Sequence, residues 1–149
     1  MVPTTTTTKT DTAALAARLR LAVTRLARKL RREAEPGISP SMLAALSSVD
    51  RQGPLTMSEL CVVEQVQPPS MTRIVAALVD VGLVSRESDP SDGRVAWVTV
   101  TPQGRKLLDR SRGRKEAYLA KALRDLEAHE LETLEEAAAI LEGLTGGQP

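Results

Sequence analysis

The chain has 149 residues, 42% of them hydrophobic and 26% charged, with a formal net charge of +1, the size and balance of one soluble domain with its own core. It has no Phe, and Trp97 and Tyr118 are its only aromatic residues, so the core must be built from Leu, Val, Ala, Ile and Met, and a pocket that stacks aromatic ligands is hard to form. The lone Cys61 excludes an internal disulfide, no apolar run approaches the ~18–20 residues of a membrane span, and the first residues lack an apolar signal segment, so a cytoplasmic protein is the simplest expectation.

Residues 1–10, MVPTTTTTKT, read as a disordered Thr-rich tail. A long helix over 11–35 follows, because Leu15, Leu19, Ala22, Leu26 and Leu30 recur at spacings of three and four. Arg18, Arg25, Lys29 and Arg32 line the face beside that stripe, and Pro36-Gly37 ends the helix. Ser39 with Pro40 opens a second helix, turning Met42, Leu43, Leu46 and Val49 inward and stopping near Gly53-Pro54. Thr56-Met57-Ser58-Glu59 has the spacing of a capping box and starts a short third helix carrying Leu60 and Val63. A fourth helix begins at Pro68 or Pro69 and ends at Gly82.

Beyond Gly82 the apolar period changes from 3.6 to 2. Residues 83–87 and 95–101 read as two strands joined by a loop over 88–93. Thr101-Pro102 starts a fifth helix to about residue 124, whose stripe of Leu108, Ser111, Leu119, Ala122 and Leu126 is interrupted by Lys115. A last helix over about 129–144 has Leu131, Leu134, Ala138 and Leu141 on one side. The predicted class is mainly α with a small β-wing. One domain over 11–149 is expected, with a winged helix-turn-helix lobe at 38–101 flanked by long helices at 11–35 and 102–145. The lobe is too small to cover the stripes of those long helices, and a second copy of the chain is the natural cover.

The centre has the form of a DNA reader. On a wheel of the fourth helix, Met71, Ile74, Val75 and Leu78 face the core, while Pro69, Ser70, Arg73, Ala76, Ala77 and Asp80 face outward. The small Ala76 and Ala77 let such a helix sit close to a major-groove floor, and Arg73 has the planar fork that pairs with a guanine edge. Gln67, Ser70 and Thr72 lie near the helix start, within reach of base edges or phosphate. In the hairpin, Gly93 is expected to permit a tight turn, and Asp92 is placed to hold the Arg94 guanidinium as a minor-groove probe. A turn-stabilising ion pair is the plainer reading of Asp92 and Arg94.

Charge is sorted along the chain. Residues 1–35 hold eight Lys/Arg against three Asp/Glu, residues 102–124 eight against two, and residues 125–149 seven acids with no Lys or Arg. Such sorting fits helices that meet or that face different partners. Residues 36–101 hold four basic and seven acidic residues, so phosphate neutralisation there depends on Arg73, Arg86 and Arg94.

The run TMSEL, then QPPSMTRIVAALVDVGLVSRESDPSDGRVAWVTVTPQGRKLL, resembles the MarR family of bacterial transcriptional regulators over about residues 55–108. The resemblance implies a triangular homodimer held by the first, fifth and sixth helices. It implies binding of double-stranded DNA at a pseudo-palindromic operator, repression of nearby genes and release by a small-molecule effector. By motif position, Thr72 and Arg73 fall on recognition-helix contacts and Arg94 on the wing tip. Pro68-Pro69 departs from the polar residues usual at the helix start, and the scarcity of aromatics departs from a phenol-binding pocket. A winged helix used only for protein assembly is the alternative.

Other features carry less. Cys61 lies in an apolar run and reads as a small buried hydrophobe. His129 with Glu127 and Glu130 reads as a solvated helix start rather than a metal site. No nucleophile has a base beside it, and there is no Gly-rich phosphate loop or carboxylate pair, so neither an enzyme nor a cofactor is expected.

Overall fold

The computed structural model describes residues 11–146, so the Thr-rich segment 1–10 lies outside the described residues. In chain order the elements are α1 (Thr12–Glu33), α2 (Pro40–Gln52), β1 (Leu55–Thr56), α3 (Met57–Glu64), α4 (Pro68–Asp80), β2 (Val84–Ser88), β3 (Ala96–Val100), α5 (Pro102–Leu123) and α6 (Ala128–Leu144).

The helix starts follow local chemistry. Asp11 caps α1 by accepting from the N–H groups of Ala13 and Ala14, and Ser39 caps α2 through Met42 N–H at 3.2 Å. The capping box at α3 is reciprocal: Thr56 Oγ1 accepts from Glu59 N–H at 3.2 Å, and Glu59 accepts from Thr56 N–H at 2.8 Å. Pro40, Pro68 and Pro102 each occupy a first helical position, where a missing N–H costs nothing. Gly82, at φ +73°, ends α4 in the left-handed region that suits glycine.

The three strands form one antiparallel sheet in the order β1-β3-β2. β2 and β3 make the hairpin, with Val84 opposite Val100, Arg86 opposite Val98 and Glu87 opposite Trp97. β1 pairs on the other side of β3, Leu55 opposite Val98 and Thr56 opposite Trp97. Sequence periodicity did not mark β1, since a two-residue strand has no period of its own and exists only because β3 offers it an edge.

The core joins α2, α3, α4, the sheet and the start of α5 around Leu46, Leu60, Met71, Leu78 and Val98, each 0% exposed. On α2 the fully buried positions are Ala45, Leu46, Ser48 and Val49, while the expected Met42 and Leu43 are half-buried. Buried Ser48 donates its hydroxyl hydrogen bond to Glu64, tying α2 to α3. Cys61 is half-buried and packs against the core.

Two ties join this lobe to the long helices. Thr101 Oγ1 donates to the Gly82 carbonyl at 2.7 Å and accepts from Gly104 N–H at 3.0 Å, fixing the end of α4 to the start of α5. Asp50 of α2 holds Arg105 and Arg112 of α5 at 3.5 and 3.3 Å. Arg110 reaches Glu35 at 3.3 Å, and Arg114 Nε donates to the Glu33 carbonyl at 2.9 Å, bringing α5 against the end of α1. α1 and α6 have no buried residue. The predicted α1 stripe stands open in the protomer, with Leu15 41%, Leu19 38% and Leu26 44% exposed.

Candidate nucleic-acid interface

α3 and α4 meet through a short turn. Gln65 takes the left-handed conformation at φ 53°, and Val66 N–H donates to Cys61 O at 3.0 Å, closing α3. α4 then starts from Gln67, whose side chain caps nothing. Pro68 and Pro69 remove two of the N–H groups with which a helix start could bind phosphate.

Met71, Val75 and Leu78 anchor α4 to the core, with Ile74 half-buried beside them. That packing leaves Gln67, Pro69, Ser70, Thr72 and Arg73 exposed. Thr72 Oγ1 donates to the Pro68 carbonyl at 2.9 Å. Its proton is therefore committed to its own helix, and its oxygen lone pairs are what it offers outward. Among the described residues Arg73 has no ion-pair partner.

The wing loop is organised by two aspartates. Asp89 accepts from Ser91 Oγ at 2.5 Å, Ser91 N–H at 2.8 Å, Asp92 N–H at 3.2 Å and the Trp97 indole N–H at 2.8 Å. Asp92 takes the Arg94 guanidinium in two-point fashion, Nε at 3.1 Å and Nη2 at 3.2 Å, and also accepts Arg94 N–H at 3.0 Å. The Arg94 side chain is nonetheless 91% exposed, so it is held in place rather than covered. Gly93 does not adopt a positive φ and a Cβ there would meet open space. The tight turn owes its shape to the two carboxylates and not to glycine freedom.

Thr72 of α4, Arg86 of β2 and Arg94 of the wing line one cleft of about 260 Å³, together with Thr56 and Ser58 at the start of α3. Gln67, Pro69, Ser70 and Arg73 are outside that cleft, along the exposed side of α4. Sequence reasoning missed Ser58 here and gave Asp89 no role. Ser58 reads locally as one more helix-start residue, and only the return of the hairpin places it beside two arginines. The excess of acid over base at 36–101 also changes meaning: Asp50, Glu59, Glu64, Asp89 and Asp92 are each engaged within the chain, leaving Asp80 and Glu87.

The hydrogen bonds from Ser91 and Trp97 hold the Asp89 carboxyl far below its ordinary value of 3.8, and the Arg94 bonds lower that of Asp92. A depressed folded value means that the unfolded chain takes up the proton first as pH falls. The contribution of these groups is therefore complete above 3.8 and is lost progressively below it. Trp97 is the only tryptophan, so its emission reports this change directly. We expect constant Trp97 emission from pH 7 to 5 in the native protein and a shifted spectrum throughout that range in Asp89→Ala. A native transition between pH 5 and 7 would contradict the assignment.

The MarR family model matches residues 38–96. An HTH-type transcriptional regulator of Mycobacterium tuberculosis (strain CDC 1551 / Oshkosh) is 39% identical over 138 residues, spanning 92% of this chain and 96% of the relative. The chain belongs to the MarR family. This MarR-family chain also superimposes on the crystal structure of a transcriptional regulator protein from Pseudomonas aeruginosa PA01, with a TM-score of 0.79, 33% identity and coverage of 91% of this chain and 97% of that one. Its fold is shared with a mutant of S. aureus MepR bound to an oligodeoxyribonucleotide, at TM-score 0.68, 19% identity and coverage of 90% and 98%. The MarR assignment makes the chain a winged helix-turn-helix, DNA-binding transcriptional regulator rather than an enzyme. α3 and α4 are its helix-turn-helix, and the β2–β3 hairpin is its wing.

Proposed function

We propose that this MarR-family chain is a cytoplasmic, homodimeric repressor that holds a pseudo-palindromic operator and releases it when a small effector binds. The observation that carries the DNA reading is the cleft where Thr72, Arg86 and Arg94 converge, because it joins the recognition helix to the wing in one cationic, hydroxyl-bearing surface. In this reading Arg73 reads a guanine edge in the major groove, while Gln67, Ser70 and the Thr72 oxygen contact bases or backbone. Pro69 packs against the sugar-phosphate wall. Arg86 neutralises the phosphate that lies in the cleft, and Asp92 aims Arg94 into the adjacent minor groove. Two copies paired through α1, α5 and α6 would place their recognition helices about one helical turn, ~34 Å, apart. The open apolar stripes of those helices support the pairing. Among the described residues no helix is long and apolar enough to cross a membrane, in keeping with a cytoplasmic regulator.

For the effector, a cavity of about 310 Å³ lies between the end of α1, α2 and α5, within the usual range for small-molecule sites. Leu43 and Leu108 give it apolar wall, while Arg31, Arg112 and Lys115 give it positive charge. Ser111, also in its wall, is 2% exposed and its hydroxyl has no hydrogen-bond partner, an arrangement that a ligand oxygen would satisfy. No aromatic residue lines the cavity, so the ligand that fits is a compact anion recognised without ring stacking. Arg112 links this wall to Asp50 of the DNA-binding lobe, which connects occupancy to lobe position.

Fluorescence anisotropy on DNA from upstream of the chain's own gene, against a scrambled duplex and across a salt series, tests the reading. Sequence-selective binding whose affinity falls with salt in proportion to the phosphates neutralised is the expected result. Equal and weak binding to both duplexes would overturn it in favour of an assembly module.

A further inference from the structure

Along one flank of the recognition helix the side chains offer a single polar atom. Pro69, Thr72 and Ala76 follow one another on α4 at spacings of three and four, so they form a strip along the helix, and all three are exposed. The side chains of Pro69 and Ala76 present only carbon, and Pro68 and Pro69 have no N–H to add to it. What remains is Thr72 Oγ1. Its hydroxyl donates to the Pro68 carbonyl at 2.9 Å. A carbonyl only accepts, so the one proton of that hydroxyl lies against its own helix and the lone pairs face away from it. Among the described residues nothing donates to them. The same bond fixes the Thr72 rotamer and with it the direction of the γ-methyl. The strip is therefore apolar apart from one oxygen that can only accept. Such a group is a poor ligand for phosphate, whose oxygens also accept, and for the guanine edge, whose outward atoms in the major groove are acceptors. It suits an exocyclic amino group. Adenine and cytosine both supply one, but only the A·T pair adds the thymine methyl that an apolar strip can contact.

We propose that Thr72 selects an A·T pair in each half-site, accepting from the adenine amino group while its γ-methyl and Ala76 pack on the thymine methyl. The proposal rests on the operator reading above and adds a base preference to it. Consecutive Cα atoms are about 3.8 Å apart, close to the ~3.4 Å between successive base pairs. The A·T pair therefore lies within about two steps of the guanine taken by Arg73. Arg86 and Arg94, which share the adjoining cleft with Thr72, carry the donors that phosphate needs, so the Thr72 oxygen is not required there.

Selection from a random duplex library with the full native chain supplies the operator, and base analogues placed in it test the contact. The expected motif holds an A·T pair within about two steps of a guanine in each half-site. Deoxynebularine in place of that adenine removes the amino group, and in both half-sites it should weaken native binding about tenfold, the loss of two neutral hydrogen bonds. Deoxyuridine in place of the thymine removes the methyl and should weaken binding about fivefold. Thr72→Val keeps a methyl and loses the oxygen. It should bind the unmodified operator about tenfold more weakly, become indifferent to deoxynebularine and still respond to deoxyuridine. Thr72→Ser keeps the oxygen and should still respond to deoxynebularine. Equal sensitivity of the native chain and Thr72→Val to deoxynebularine would overturn the proposal. So would a native chain indifferent to that analogue at each adenine within the span, or a motif with no A·T pair there. The analogues leave the protein untouched, so the native arm decides even if a variant folds poorly. A library from which nothing is enriched would overturn the operator reading and this proposal with it, a result distinct from an enriched motif whose base preferences Thr72→Val leaves unchanged.

Discussion

Arg73→Ala is expected, on the proposed function, to lower the affinity of a dimer for its operator by about 100-fold or more, with little change in binding to unrelated DNA. A bidentate arginine–guanine contact contributes about 1–3 kcal/mol of discrimination. Two symmetry-related copies give about 2–6 kcal/mol if each makes that contact. The magnitude rests on Arg73 being exposed and free of ion pairs among the described residues, so its fork is available without breaking an internal bond. Arg73→Lys should recover little, because an ammonium keeps the charge but loses the planar pair of donors. Competition titrations with operator and scrambled duplexes separate the outcomes. Equal weakening on both, with a smaller salt slope, would assign Arg73 to phosphate and remove it from base reading.

The second large effect concerns stability. Gly104→Ala, normally mildly stabilising within a helix, is expected here to destabilise the fold by about 3 kcal/mol, the upper part of the usual overpacking range. A Cβ at this position overlaps the backbone carbonyl oxygen of Leu83, comes within 2.9 Å of Val100 Cγ2 and reaches 3.2 Å from Leu46 Cδ1. The carbonyl cannot move cheaply, since it accepts Thr101 N–H at 3.1 Å. Steric overlap with backbone therefore outweighs the propensity gain. Urea unfolding checks this directly, and a midpoint at or above native would show that α5 can shift without cost.

Much of this architecture was legible locally. Thr56 and Glu59 form the reciprocal cap that their spacing announces, Pro68 and Gly82 bracket the recognition helix, and the change of period after Gly82 marks the hairpin. What was not legible depends on distant residues. β1 needs the edge of β3. The Ser48–Glu64 bond spans two helices, and Asp89 gains its role only because Trp97 folds back over the loop. Pro69, Ser70 and Arg73 were recognisable as outward-facing from periodicity alone. The cleft uniting Thr72 with Arg86, Arg94 and Ser58 was invisible, since its members come from α3, α4 and both sides of the wing.

α5 gives the molecule a mechanical ratio. Its 22 residues make a rod about 33 Å long. Gly104, Leu107, Leu108 and Ser111 are buried at one end, and Thr101 pins that end to Gly82, just past the recognition helix. A tilt of about 10° at the far end, transmitted through a rod of that length, displaces the reading head by about 6 Å. The rise per base pair is only about 3.4 Å. In the proposed dimer, a tilt of that size where two copies meet would be enough to carry a recognition helix past the base it was aligned with.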